Sequence, residues 1–158
     1  MRLLRTCTIV VLTCCLAGCN WFGGGKSKSA SESVFSVQPG QCFVAPATVK
    51  AELSDLTQTP CTQPHTQEAY AIVQYQAGTT SASNSAFPGN DVLSTFAQGA
   101  CAQHYADYVG VDYLDSKLFF TYLLPSPRSW EQNDDYKIIC FVTTTGGTLT
   151  SSVKGSKK

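Results

Sequence analysis

Charge is scarce in this sequence. Only 14% of its 158 residues are Asp, Glu, Lys or Arg, and histidine occurs twice, at positions 65 and 104. The basic residues form no patch of the kind that gathers phosphates, which excludes nucleic acid as a partner. Two histidines cannot complete a zinc site without carboxylates or free thiols. There is no Gly-x-Ser-x-Gly elbow, no phosphate-cradling glycine loop before a helix and no His-Glu-x-x-His pair. No internal repeat is visible. The apolar run Cys7 to Leu16 is well short of the roughly 20 residues that a helix needs to cross a bilayer.

That run has instead the length of a signal-peptide core, behind a basic start at Arg2 and Arg5. It ends in Leu16-Ala17-Gly18-Cys19, which resembles a bacterial lipobox. The resemblance implies removal of residues 1–18 and lipidation of Cys19, whose thiol carries the lipid as a thioether. Two or more acyl chains anchor a protein stably at about 0.8 kcal/mol per buried methylene. Expected is a protein anchored to the extracytoplasmic face of a cell membrane without crossing it. Residues 19–37, rich in Gly and Ser with Lys26 and Lys28, read as the lipidated cysteine and a flexible tether. Residues 38–156 then form one small domain. Between Gln38 and Lys154 stand five basic against ten acidic side chains, a formal charge of about −5.

Of eight cysteines, Cys7, Cys14 and Cys15 leave with the signal and Cys19 is lipidated. Cys42, Cys61, Cys101 and Cys140 remain. An even number in an exported domain reads as disulfides, with three possible pairings.

Strands are predicted at Gln41–Val44, Val49–Leu53, Glu68–Tyr75, Leu118–Leu124, Tyr136–Thr144 and Leu149–Val153, from alternation and β-branched or aromatic content. Asp91–Tyr108 changes period: Leu93, Phe96, Ala97, Ala100, Cys101, Tyr105 and Tyr108 recur at three- and four-residue spacing. Asn90 or Asp91 is placed to cap this helix and Gly110 to end it. Gly99 inside it predicts a close packing contact. The fold class is α+β: an antiparallel sheet of five or six strands with one main helix packed on it and two disulfides. Cys101 lies on the helix stripe and Cys140 mid-strand beneath it, so these pair, leaving Cys42 with Cys61 around the predicted second strand.

The stretch Cys61 to Tyr70, CTQPHTQEAY, sets a thiol, an imidazole and a carboxylate within eight residues. A disulfide at Cys61 removes the thiolate that a nucleophile or a metal ligand requires. His65 then orders a turn through backbone or Glu68, or stands with Glu68 as a partner contact or an acid–base pair. Trp130 is a core lid or a third partner contact. Glu131, Asp134 and Asp135 form a solvated turn or a calcium site. Tyr105, Tyr108 and Tyr113 pack at the core edge or line a glycan groove.

In order along the chain, PGQCF (Pro39–Phe43), CTQPHTQE (Cys61–Glu68), FPG (Phe87–Gly89), Cys101, PSPRSWEQND (Pro125–Asp134), Cys140 and GTLTSSVKG (Gly147–Gly155) resemble the septum-formation domain of actinobacterial envelope proteins. The resemblance covers nearly all of 38–156. It implies a role in septum formation and cell division, and no catalytic residue or ligand. The expectation is a non-catalytic, lipid-anchored protein that binds an envelope or division protein or a cell-wall component, with no cofactor, metal or nucleic acid. The alternatives are a solute- or glycan-binding lipoprotein, and an envelope hydrolase using His65 with Glu68 or Asp134.

Overall fold

The computed structural model describes residues 29–48, 52–76 and 86–158. The signal peptide, Cys19 and most of the expected tether lie outside these residues, as do positions 49–51 of the expected second strand.

The apolar content of residues 137–143 dictates the centre of the fold. Strand β6 (Lys137–Thr143, sequence KIICFVT) is buried at five consecutive positions, so it needs cover on both faces. It lies between β4 (Gln67–Gln74) and β5 (Phe119–Leu123) in an all-antiparallel sheet. Beyond β4 come β2 (Cys42–Val44), β3 (Asp55–Thr59) and β1 (Ala30–Ser33), giving the order β1-β3-β2-β4-β6-β5. The six strands and one main helix match the expected α+β class.

Helix α1 (Asn90–Val109) covers one face. Its buried residues Leu93, Ala97, Cys101 and Tyr105 recur every fourth position, and the last three share a core with Ile138, Cys140 and Val142 of β6. Gly110 ends it at φ 89°, donating its N–H to the Ala106 carbonyl. The start differs from expectation: Gly89 holds the cap position with no side-chain bond, and Asn90 and Asp91 already belong to the first turn. There Asp91 still opposes the positive end of the helix dipole. Gly99 faces open space, since a Cβ added to it meets nothing within 4 Å. Among the described residues, the close contact expected there is absent.

On the opposite face, Ile139 and Phe141 of β6 pack with Phe43, Leu56, Ala69 and Val37. The Phe43 and Phe141 rings meet edge to face with centroids 5.9 Å apart. A bulge between Ala69 and Ala71 inserts Tyr70 as an extra residue. Tyr70 and Ala71 therefore both lie in the helix-side core, where the Tyr70 hydroxyl donates to the Cys101 carbonyl at 2.7 Å.

Four elements depart from the sequence reading. The tether expected through residue 37 ends sooner, because Ala30–Ser33 pairs with β3 and Val37 is buried in the core. Of the strand expected at Val49–Leu53, the described residues Glu52 and Leu53 lie outside any strand, and β3 follows them. Leu149–Val153 forms no strand: only Leu149 bridges, exchanging two backbone hydrogen bonds with His65. Finally, α2 (Pro127–Asn133) occupies what reads as a strand stop. Its Ser126 and Ser129 cap each other reciprocally and Pro127 occupies the first turn.

Candidate functional site

The β2–β4 ladder sets Cys42 directly across from Glu68. Cys42 is bonded to Cys61, with Cα atoms 5.2 Å apart, and Cys101 to Cys140, with Cα atoms 5.6 Å apart. Both expected pairings hold. The first closes the expected loop, and the strand that this loop carries is β3.

Glu68 is fully buried, and every bond to its carboxylate runs to a distant part of the chain. Oε1 accepts the Tyr108 hydroxyl at 2.5 Å and the Ser152 hydroxyl at 2.6 Å. Oε2 accepts the Val153 N–H at 2.9 Å. One side chain thus joins β4, the end of α1 and the C-terminal tail. The same tail satisfies the helix end, since the N–H groups of Gly155 and Lys157 donate to the Tyr108 and Val109 carbonyls at 2.8 and 2.9 Å. Those carbonyls have no partner within the helix.

His65 is also fully buried. Its Nδ1 lies 2.8 Å from the Gln63 carbonyl, which only accepts, so Nδ1 carries the proton. Among the described residues Nε2 has no hydrogen-bond partner, and it lies 4.0 Å from Glu68 Oε2. That separation is too long for a direct bond. The imidazole therefore orders the turn through backbone, as one sequence reading had it, and does not reach Glu68.

Burial, reinforced by the Glu68 hydrogen bond and charge, pushes the Tyr108 hydroxyl well above its ordinary value, against a smaller opposite effect of Ser152. Tyr70 is raised by burial and then by the neighbouring Tyr105. Tyr105 is raised by burial, partly offset by its hydrogen bond to Ser116. These tyrosines are packing groups. The glycan-groove reading fails for Tyr105 and Tyr108, both buried, and leaves Tyr113 alone at the surface.

The three candidate partner contacts are likewise placed inside. Trp130 is buried under the rings of Tyr136, Phe87 and Tyr75, at centroid distances of 4.6, 5.7 and 5.8 Å. Neither it nor His65 nor Glu68 offers surface to a partner. Burial of this kind follows from tertiary contacts that a single sequence does not display. Asp134 accepts the Tyr136 hydroxyl and Asp135 the Lys137 N–H, which makes this stretch the turn into β6. Among the described residues, the ligand atoms of Cys42, Cys61 and Glu68 lie within 4.8 Å of one another. Two of the three are tied in a disulfide and supply no thiolate.

What sequence reasoning missed is a groove of about 980 Å³, lined by residues of the sheet face opposite α1 and, at one end, by Asn90 and Ser94 from the start of α1. Ile139, Phe141, Leu123 and Leu56 line its floor, and Phe35 and Pro127 its sides. Arg128 and Glu52 face each other at its rim, 3.8 Å apart and solvent-exposed. The Lys137 ammonium donates to the Phe35 carbonyl at 2.9 Å. Alternation within β6 was the available signal: Ile139 and Phe141 point away from the helix and need a second cover.

A family model described as septum formation matches residues 39–157. No curated protein and no solved structure matches the chain.

Proposed function

On the premise that the chain belongs to the septum-formation family, we propose a non-catalytic, lipid-anchored envelope protein that serves septum formation by binding a protein or cell-wall partner. The observation that carries this reading is how the reactive side chains are used. Cys61 is in a disulfide, and Glu68 is spent on internal hydrogen bonds. His65 and Glu68 are fully buried, which favours a binding protein over a hydrolase built on that pair. The Leu16–Cys19 pattern supports the anchor, with Cys19 as the lipidated residue.

Solute or glycan binding is the second reading, favoured by the groove of about 980 Å³ beneath the Arg128–Glu52 pair. One experiment separates the two. A fluorescent tag is inserted between Cys19 and Ala30, because the C-terminal tail is built into the fold. Enrichment at the septum before constriction is the expected result. An even distribution around the membrane overturns the septal reading and puts solute or glycan binding first.

A further inference from the structure

The sheet has two outer strands, and their chemistry differs. β1, sequence ASES, is small and polar with Glu32 on it. β5, sequence FFTYL, carries no charge, proline or glycine and pairs in unbroken register with β6. Outer strands expose a row of backbone donors and acceptors, and proteins usually blunt that row with lysine, proline, a bulge or a covering segment. Among the described residues, nothing pairs with the free edge of β5. Apolar side chains gather at its start: Phe119 is 54% exposed, Leu114 77% and Tyr113 38%, and Tyr113 packs on Phe120 at 5.2 Å.

We propose that the free edge of β5 is a self-association surface, on which a second copy of this chain adds its own β5 antiparallel across a two-fold axis. The sequence of the strand is suited to its own copy. A two-fold axis perpendicular to the sheet keeps each residue on the same face, so residues across the junction share a face and one residue meets itself. Placing the middle residue, Thr121, on the axis gives the longest overlap. Phe119 then stands across from Leu123 of the second copy, and Phe120 from Tyr122. Lys117 falls opposite Pro125. Within β5 every pair joins aromatic, aliphatic or hydroxyl side chains of the kind that stabilises cross-strand neighbours, and no like charges meet.

The size of the contact sets its strength. Five paired residues fall short of the ~1,200 Å² that stable complexes bury, so the association is weak and concentration-dependent. Confinement of both copies to one surface raises their effective concentration without any new contact. From residue 29 to 158 the chain carries eleven acidic against seven basic side chains, a formal charge of about −4 that repels a second copy over distance and leaves the uncharged edge as the place of contact.

The test uses the full chain in membranes with Thr121→Cys, an exposed position on the axis. A short bifunctional maleimide links two thiols only where copies meet. The unsubstituted chain and Ser31→Cys, on the opposite edge, set the background. Expected is a covalent homodimer from Thr121→Cys in excess of both, reduced about tenfold or more when Phe119→Lys is added, since a lysine blunts an edge strand. The Phe119→Lys chain should melt at the unsubstituted temperature, its side chain being half exposed. A product no stronger than background overturns the proposal. So does a product whose mass shows a different protein on the strand, or a homodimer that Phe119→Lys leaves unchanged.

Discussion

At the scale of single residues, the chain concentrates its polar risk in Glu68. A buried carboxylate that accepts three donors is stable only while all three remain in place. Glu68→Gln keeps the shape but turns one accepting atom into a donor, which then faces either two hydroxyls or the Val153 N–H. We expect a loss of about 2 kcal/mol, read as a lowered urea midpoint at unchanged slope. Exchange of the Gly155 and Lys157 amide hydrogens should accelerate as the tail loosens. Protection of those amides equal to that of the unsubstituted chain would show that the tail is held by other means. The tyrosines give a second residue-scale prediction. Tyr70, Tyr105 and Tyr108 are all raised above the ordinary 10.0, chiefly by burial. In the unfolded chain they lose protons near pH 10, while the folded chain keeps them. The stability they contribute is complete below pH 10 and falls as pH rises from there toward the raised folded values. The midpoint in urea should be flat from neutral pH to about 9 and fall beyond 10. A midpoint constant to pH 11.5 would contradict the burial assigned to these hydroxyls.

At the scale of elements, α1 carries an uncompensated weakness. Gly99 costs about 1 kcal/mol against alanine in a helix interior, and it faces open space. Gly99→Ala should therefore raise stability by up to about 1 kcal/mol, measured by chemical denaturation, without disturbing the fold. A loss would mean that Gly99 lies against something beyond the described residues. This helix also shows where a sequence is readable. Its stripe, its glycine stop and the partnership of Cys101 with Cys140 follow from periodicity, because one face of a long element must be buried. β4, β5 and β6 are readable for the same reason. β1 and β3 are not, since ASES and DLTQT have little apolar content and become strands only by pairing with neighbours. α2 spans seven residues and owes its place to Trp130 beneath aromatic rings. Its Ser-Pro start was a helix signal, though the prolines around it equally read as a stop. The candidate site divides along the same line. The bonding of Cys61 was legible from compartment and cysteine count. The link from Glu68 to Tyr108 and Ser152 was not, because those partners lie 40 and 84 residues away.

For the molecule as a whole, two disulfides divide the fold into parts of unequal security. On the chain-entropy estimate, loops with separations of 19 and 39 residues confer about 3 and about 4 kcal/mol. Together these approach the whole net stability of an average domain, about 5–15 kcal/mol. They differ in access. Cys61 is half-buried at the surface, so a thiolate reaches the Cys42–Cys61 bridge in the folded state. Cys101 and Cys140 are both fully enclosed between α1 and β6. Reduction should therefore proceed in two steps. Under native conditions, alkylation mass spectrometry should find Cys42 and Cys61 modified first, on a chain that keeps most of its helical signal. β3 and its neighbour β1 lose their tie at this stage, because the loop closed by that bridge carries β3. Cys101 and Cys140 should become modified only as the helical signal disappears, and added urea should accelerate this second step far more than the first. Simultaneous modification of all four cysteines would instead mean that β1, β3 and the stapled loop unfold together with the helix as one unit. The order of events thus tests whether the N-terminal strands, nearest the expected anchor at Cys19, form a separable layer on a sturdier core of α1, β4, β5 and β6.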